Sequence, residues 1–466
     1  MSIEPIGAIT FILGLICLLL GTRAIVIAFL VVCVLGSAAA ILFGSTGIAP
    51  AHVFLIFLVL ANLSYRDVCA KVLNQLRFPE PGFWLLCLFL YGVASSYIMP
   101  RLFAGQTQII PLGASSNLPT SEGTVPLGPV SSNLNQSIYM LGNIVCFTII
   151  AAVGSTREGI DTVTKALIAF CLADICFGLI DVITAATGTQ DALKFIRNAQ
   201  YTFHDDETVG NMRRIIGSYT EASAFAWITL GVFGFTGTLF LYGRKPLISG
   251  LLALSSLLFI VLSTSSTGLV GSAMVASILY MIAFMRCSTR LQDRFSAATV
   301  IACPLLLIIC IVLVLSIDGV GSAIYDYVDT LVISKSTTQS GAERGTWNTY
   351  ALRNLFDSGG LGVGLGTSRA SSFPLAVLSQ VGIPGAIFYV LFLVSVFRNV
   401  DEIPRSYTGD IRAAARVGCI SLIFGAMISG TTVDLGLLFY VFAGCACSAS
   451  YDRQEASHGM ASAYQL

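Results

Sequence analysis

The sequence predicts an all-α polytopic membrane protein, and composition together with the length of the apolar runs leads to this fold class. Of the 466 residues, 55% are hydrophobic and only 11% are charged, so the apolar surface is too large to be enclosed in a water-soluble core. Apolar runs recur along the chain, and runs of about 18 to 22 residues can cross a hydrocarbon layer roughly 30 Å thick as helices. We therefore expect residues 1–466 to form a single membrane domain with about 12 to 13 transmembrane helices.

The apolar runs divide the first half of the chain into six spans. They are predicted at 6–20, 24–43, a third around 53–63, 83–99, 137–153 and 166–186. The first is expected to remain as a span, because no small-residue cleavage site stands out before Arg23. Between the fourth and fifth spans, loop 100–136 is rich in Ser, Pro, Gly and Asn and nearly free of charge. Such a loop is either mobile or covers a site.

The second half alternates in the same way. A polar loop, 187–219, leads to spans at 222–242, 247–262, 269–285 and 298–317. The long polar stretch 318–372 follows, and within it we expect an amphipathic helix at 341–356. An eleventh span ends at residue 397, and two more precede a polar tail.

Charge placement predicts the orientation of these spans. Most of the 25 Lys and Arg residues fall in short segments on one side of the alternating spans, such as 66–77 and 286–294. Cytoplasmic loops retain Lys and Arg, so loops 100–136, 187–219 and 318–372 are expected to face away from the cytoplasm. The balance of 25 basic against 25 acidic residues gives no sign of nucleic-acid binding.

Cysteine and histidine give little reason to expect a disulfide or a metal site. The 13 cysteines lie in apolar runs or at their ends, and the C-x-C of Cys445 and Cys447 has no second pair nearby, which favours a core or lipid-facing role. His204 with its three acidic neighbours could suggest metal binding. Adjacent polar residues in a loop are more often simply solvated, and that interpretation is favoured.

A helix start with an adjacent arginine marks the third long loop. Ser340 and Glu343 have the spacing of a capping box, in which each side chain bonds to a backbone N–H of the other residue. Arg344 would then lie in the first turn, where a guanidinium and unpaired N–H groups favour a phosphate. Capping or contact with the membrane surface explains Arg344 equally well. At about 100° per residue, Trp347 shares the face of Arg344, whereas Arg353 points nearly opposite.

A parallel arrangement occurs upstream. Arg213 and Arg214 precede Ser218 and Glu221, which again have the S-x-x-E spacing before a long apolar helix. Glu221 is a candidate general base at the mouth of a cavity, although an ordinary capping-box role is slightly favoured.

Two carboxylates lie at membrane depth. Asp174 and Asp181 are seven residues apart in the sixth predicted span and share a helix face. Ionisable groups in a membrane usually face a polar cavity or a partner, so Asp181 is a second candidate base and the pair a candidate proton relay. A structural pairing with a neighbouring helix is at least as well supported.

The glycine run at 359–366 does not fit a dinucleotide site. It has a G-x-G-x-G pattern but follows no predicted strand. Close backbone approach, either to a helix or to a bound headgroup, explains the glycines better.

Motifs over residues 210 to 390 resemble those of a known superfamily. They are a basic residue followed by Trp347, Ala351-Leu352, Phe356, Gly362-x-Gly364-x-Gly366 and Gln380-Val-Gly-Ile-Pro-Gly385, with Arg214-Ile-Ile-Gly217-Ser-Tyr-Thr-Glu221 and Ser263-Thr-Ser-Ser-Thr-Gly268 upstream. Their order and spacing are similar to the R-x-x-x-W…G-x-G…E-x-G-x-x-G signature of the O-antigen ligase and Wzy-type polysaccharide polymerase superfamily.

The resemblance implies an inverting glycosyltransferase of the GT-C class. Such an enzyme acts without metal or cofactor on polyprenyl-diphosphate-linked oligosaccharides, at the periplasmic face of the bacterial cytoplasmic membrane. By position, Arg344 and Arg214 match family arginines that hold the diphosphate. Arg353 begins an R-x10-G pattern that ends at Gly364, although its outward direction weakens it as a candidate. Expected partners are membrane lipids, a chain-length regulator and export proteins, with no nucleic acid.

Two departures favour a polymerase within this superfamily. The arginine of the family's S-x-S-R-G hairpin is replaced by Thr267, and the histidine of the ligases is absent at Ser371-Ser372-Phe373. We therefore predict a polymerase of lipid-linked repeat units of an exopolysaccharide, capsule or O-antigen. The predicted catalytic residues are Arg344, Arg214 and Glu221, and the predicted substrate-binding residues are Arg213, Arg353, Trp347, Gly364 and Asp181. The alternatives are a ligase-type glycan transferase or, in a different class, a flippase of lipid-linked sugar with Asp174 and Asp181 as coupling groups.

Overall fold

The chain forms an all-α polytopic membrane protein, as predicted. A computed structural model describes residues 2–43, 46–199, 208–209, 212–288, 294–334, 338–398 and 406–448. Within these ranges eight helices are long and apolar enough to cross a membrane. They are α5 (Pro81–Leu102), α6 (Ser132–Val153), α7 (Arg157–Thr187), α8 (Ala222–Leu241), α10 (Ser266–Ser288), α11 (Arg294–Ser316), α14 (Phe373–Arg398) and α15 (Tyr407–Ser429).

The remaining apolar runs form shorter or bent helices. The short ones are α1 (Pro5–Leu20), α2 (Thr22–Cys33), α9 (Pro246–Leu262) and α16 (Gly436–Cys447). Helix α3 (Pro50–Leu63) meets α4 (Arg66–Gln75) at a bend of 116°. The part of the chain that the structure describes thus contains eight candidate spans, or nine if the bent pair counts as one. The predicted 12 to 13 are reached only by adding the short helices.

The predicted span at 24–43 is wrong. Helix α2 ends at Cys33, and strand β2 (Ile41–Phe43) pairs with β1 (Ser2–Ile3) and β3 (Thr46–Ile48). The hydroxyl of Ser37 donates to the carbonyls of Ser218 and Ile196, at 2.8 and 3.2 Å. Such bonds to a distant loop provide polar partners for a segment that is no longer helical. An apolar run in the sequence gives no sign of them.

The central helix of the bundle is α8, in which most side chains are buried. It packs against α9, α10 and α15. Gly231, Gly234 and Gly237 permit this close packing, since a Cβ at each would lie 2.8, 2.1 and 2.6 Å from the nearest side-chain atom of α15 or α10. Helix α11 is the opposite case, because Ser296 is the one buried residue along it.

The polar loops carry short elements. These are a 3-10 helix (Gln190–Phe195), α12 (Val320–Val328), a π-helical turn (Asp329–Ile333), α13 (Gln339–Asp357) and the strand pairs β4 (Gln108–Ile109) with β5 (Val125–Pro126) and β6 (Thr208–Val209) with β7 (Met212–Arg213). The amphipathic helix predicted at 341–356 is α13, which is longer by two residues at its start and one at its end.

Loop 100–136 lies over α13 at one end of the bundle. The hydroxyl of Thr107 donates to the carboxylate of Asp357 at 2.6 Å, and that of Tyr350 donates to Glu122 at 2.7 Å. Of the two alternatives for this loop, mobile segment or cover, these contacts fit a cover.

Candidate functional site

The start of α13 differs from the predicted capping box. Thr338 is the N-cap, with its hydroxyl accepting from the backbone N–H of Gly341 at 3.2 Å, and Ser340 already lies in the first turn. A Ser-x-x-Glu spacing is only local, and Thr338 is an equally good capping residue two positions earlier. Arg344 consequently lies in the second turn of α13, not the first.

The two faces of α13 separate as predicted. Ala351 is buried at 1% exposure, Trp347 and Arg344 are half-buried, and Arg353 is exposed with its guanidinium 5.3 Å from the ring centroid of Tyr350. Within the described ranges Arg344 has no ion pair. Arg344 therefore remains available at the packed face of α13, whereas Arg353 points to solvent.

Arg369 is the residue at this site that sequence reasoning missed. Its guanidinium lies 4.9 Å from the ring centroid of Trp347, and its buried Nε has no hydrogen-bond partner. Its backbone is fixed, because the N–H of Arg369 donates to the carbonyl of Ile110 at 2.8 Å. A lone arginine after a glycine run carries no sequence signal. Only the fold shows that it stacks on Trp347 as a cation–π pair.

Arg369 connects α13 to the start of α8. Burial lowers the pKa of Arg369, and the carboxylate of Glu221 opposes this effect. Glu221 is thus the acidic group that acts on this arginine, although no ion pair joins the two. The structure therefore stacks Arg369 on Trp347, which lies one turn along α13 from Arg344, and sets Arg369 within electrostatic range of Glu221, more than 100 residues away in sequence.

The predicted capping box of α8 does not form. Ser218 is fully buried and donates its hydroxyl to the carbonyl of Val34 at 2.6 Å. Glu221 itself occupies the N-cap position, and its carboxylate accepts a hydrogen bond from the hydroxyl of Ser223. The bond that Ser218 makes to the end of α2 explains why local spacing gave the wrong result. Glu221 is half-buried.

Asp181 belongs to a separate, closed network. Its carboxylate, with 0% exposure, pairs with Arg197 at 2.8 Å and with Arg213 at 3.4 Å. It also accepts from the backbone N–H groups of Ile216 and Gly217, at 2.8 and 3.1 Å. Arg197 was not among the predicted residues. These contacts favour the structural pairing over the base role for Asp181, because its acceptor positions are occupied.

Asp174 is satisfied in a similar way. It accepts hydrogen bonds from the hydroxyls of Tyr219 and Thr229, at 3.2 and 3.0 Å, and is fully buried. It shares the helix face of Asp181, as predicted, but each carboxylate has its own partners.

Arg214 acts on another part of the third long loop. It is half-buried, and it acts on Tyr327 of α12: burial raises the pKa of that hydroxyl, and the guanidinium of Arg214 opposes the rise. The hydroxyl of Tyr327 donates to the carbonyl of Val261 at 3.0 Å. The adjacent arginines thus act on different groups, Arg213 on Asp181 and Arg214 on Tyr327.

The glycine run packs against helices. Gly364 has φ of +107°, and a Cβ there would lie 2.8 Å from Pro100 and 2.9 Å from the carbonyl of Ser95 in α5. The side chain of Gln380 accepts from the N–H of Gly366 at 2.7 Å and donates to the carbonyl of Ser368 at 2.8 Å. Of the two alternatives for these glycines, close approach to a helix is the one that these contacts fit.

Backbone bonds join this glycine run to an open turn of α14. Gly382 breaks the helix with φ of +62°. There, the N–H groups of Val363 and Gly364 donate to the carbonyls of Ser379 and Gln380, at 2.8 and 2.9 Å, and the N–H of Ile383 donates to Gly360 at 2.8 Å.

The chemistry of the group around Trp347 suits an anionic ligand. Arg369 stacks on Trp347 and is bonded to loop 100–136, Arg344 lies on the same side of α13, and the carboxylate of Glu221 acts on Arg369. His204 and its acidic neighbours lie outside the described residues. Among the residues that are described, no three His, Cys, Asp or Glu side chains gather as they would around a metal ion.

Comparison with family models gives no match for this chain, and comparison with curated proteins gives none either.

Proposed function

We propose that the protein is a polymerase of polyprenyl-diphosphate-linked oligosaccharide repeats, and that the group formed by Arg344, Trp347, Arg369 and Glu221 is its active site. The observation that carries this proposal is Arg369, a half-buried arginine whose buried Nε has no hydrogen-bond partner, stacked on Trp347 and acted on by the charge of Glu221. A partly buried charge without a partner is costly. A dianionic leaving group would supply the missing partner.

Diphosphate departure is the step that these arginines serve. Planar guanidiniums donate two parallel hydrogen bonds to phosphate oxygens and stay charged at any working pH. Arg344 and Arg369 would therefore neutralise the charge that grows on the bridging oxygen as its bond to the anomeric carbon breaks. Stacking on Trp347 holds Arg369 in place before the substrate arrives.

Glu221 is the proposed general base. An acceptor hydroxyl of the incoming repeat attacks the anomeric carbon from the face opposite the diphosphate, which inverts the configuration. Its proton passes to the carboxylate of Glu221, and the diphosphate leaves with the electron pair of the broken bond. Asp181 has no part in this step, because four donors already occupy its carboxylate.

We place this enzyme in the cytoplasmic membrane of a bacterium, where it works with other proteins. The basic, short segments face the cytoplasm of a bacterium, and the active site opens to the periplasm beneath loop 100–136. The spans have a GT-C-like arrangement, and the lipid-linked substrate comes from the same membrane. The partner proteins control chain length and export the polymer.

The test is the Arg344→Ala variant in a strain that makes the polymer. Long glycan should disappear while the protein remains inserted and stable, and Arg101→Ala should behave as wild type, since Arg101 is an exposed arginine of α5 bonded to the carbonyl of Tyr97. Normal chain lengths in the Arg344→Ala strain would contradict the proposal. Purified protein with a defined lipid-linked repeat should give a ladder of products.

Deletion of the gene separates the rival functions. Loss of a polymerase leaves single repeats on lipid or at the cell surface. Loss of a flippase would leave them on the cytoplasmic side, and loss of a ligase would leave polymer that is not attached to its final acceptor.

A further inference from the structure

A cavity lies at the opposite end of α8 from Glu221. Its volume is about 220 Å³, and it is lined by residues of α7, α8, α15 and the turn between α8 and α9. Since α8 has 20 residues, its two ends are separated by about 30 Å. The cavity is therefore remote from the proposed active site and lies at the end that carries the short basic segments.

The lining combines polar and apolar side chains. Arg244, Lys245 and Tyr407 contribute the polar part, and Ile168, Leu239 and Ile411 the apolar part. An amphiphile with a charged head matches this division, and basic pockets between transmembrane helices on the cytoplasmic side are suited to anionic headgroups.

The cations around the cavity outnumber the carboxylates by one. Asp410 pairs with Arg244 at 2.6 Å, and Asp161 pairs with Lys165 at 2.6 Å. Lys245 is exposed, and among the described residues it has no ion pair within contact distance. Three cations thus face two carboxylates, and Lys245, whose charge acts on Asp161 without contact, leaves the net charge positive.

The turn holds Lys245 in a fixed and unusual conformation. Its φ of +47° lies in the left-handed region, which is uncommon for a residue other than glycine. The hydroxyl of Ser249 donates to the carbonyls of Arg244 and Lys245, at 3.1 and 3.0 Å, and the N–H of Arg244 donates to Leu239 at 2.8 Å. A non-glycine residue kept in a strained conformation is a reason to look for a function of its side chain.

We propose that this cavity is a phosphate-binding site on the basic side of the membrane, with Lys245 as the residue that holds the anion. Two sources present the same chemistry: the headgroup of an anionic membrane lipid and inorganic phosphate. The site is independent of the proposed polymerase activity.

The experiment measures lipid retention by the full-length protein in detergent, using native mass spectrometry. Phosphatidylglycerol should be retained over phosphatidylcholine, and Lys245→Ala should weaken its binding about fivefold, as expected for the loss of one cation near a membrane surface. Lys245→Gly should weaken it equally, and it fits the left-handed backbone, so misfolding cannot explain the loss. Lys71→Ala, which removes a lysine of α4, is the matched control.

Inorganic phosphate separates the two sources. If millimolar phosphate displaces phosphatidylglycerol from the wild type but not from the residual binding of Lys245→Gly, the site recognises the free anion. If it displaces none, the site requires the lipid, and both results support the proposal. Wild-type retention of phosphatidylglycerol by either Lys245 variant, or an equal loss in Lys71→Ala, would overturn it.

Discussion

At the scale of single residues, pairing divides the arginines at the loop end of the bundle into two kinds. Arg197 and Arg213 share the buried carboxylate of Asp181. Arg344 and Arg369 have no such carboxylate within contact distance among the described residues. A cation whose charge is already compensated fixes a loop, whereas one whose charge is not compensated can bind an incoming anion. The two kinds of arginine therefore call for different experiments.

We predict that Arg369→Lys slows chain growth about 10- to 100-fold, because a lysine loses both the stacking on Trp347 and the paired donors to phosphate. The rate should be measured with purified protein and a lipid-linked repeat. Arg101→Lys, at an exposed position, serves as the control. Growth at the wild-type rate in Arg369→Lys would remove Arg369 from the site.

Asp181→Asn should lower the free energy of unfolding by about 3–5 kcal/mol, since it leaves the buried guanidinium of Arg197 and the half-buried one of Arg213 short of a counter-charge. Thermal unfolding in detergent measures this effect. A variant with unchanged stability but no activity would instead favour the base role for Asp181.

At the scale of elements, local sequence patterns gave the helices but not their contacts. Periodicity located α13 to within two residues and gave the correct direction of Arg353. Both predicted capping boxes were wrong, because Thr338 competes for one helix start and Ser218 is bonded to α2 at the other. Local spacing carries no information about a partner elsewhere in the chain, and for the same reason it missed Arg369 on Trp347.

Gly364→Ala should destabilise the protein by about 1–3 kcal/mol, because the new Cβ would meet α5 in a strained backbone conformation. Gly345→Ala is the matched control: Gly345 lies within α13 with nothing within 4 Å of an added Cβ, so alanine there should be neutral or stabilising by up to about 1 kcal/mol. Thermal unfolding of the two variants should separate them, and equal stability would contradict the packing role of Gly364.

At the scale of the whole molecule, composition fixed the class of fold, and hydropathy overcounted its spans. Four apolar runs fold as helices of 12 to 17 residues, and the run at 24–43 is divided between a helix and a strand. An apolar run shows only that the segment is compatible with lipid. Where a helix ends depends on polar partners such as Ser218 and Ile196, which bond to Ser37 from a distant loop.

The spans are predicted to place loop 100–136 outside the cytoplasm and helix α4 on the cytoplasmic side. Alkaline phosphatase inserted after Glu122 should be active, because that enzyme folds outside the cytoplasm, and the same insertion after Lys71 should be inactive. A fluorescent-protein reporter at the two positions should give the reverse pattern. If the phosphatase is active only at Lys71, the predicted orientation is reversed and the Trp347 group lies on the cytoplasmic side.

The open turn of α14 has a mechanical consequence. Carbonyl groups of this turn accept hydrogen bonds from the N–H groups of Val363 and Gly364, and the N–H of Ile383 donates to the carbonyl of Gly360. The glycine run is therefore attached to a membrane span through its backbone. Helix α13 leads directly into the glycine run. A tilt of α14 within the bilayer would therefore also move the helix that carries Arg344 and Trp347.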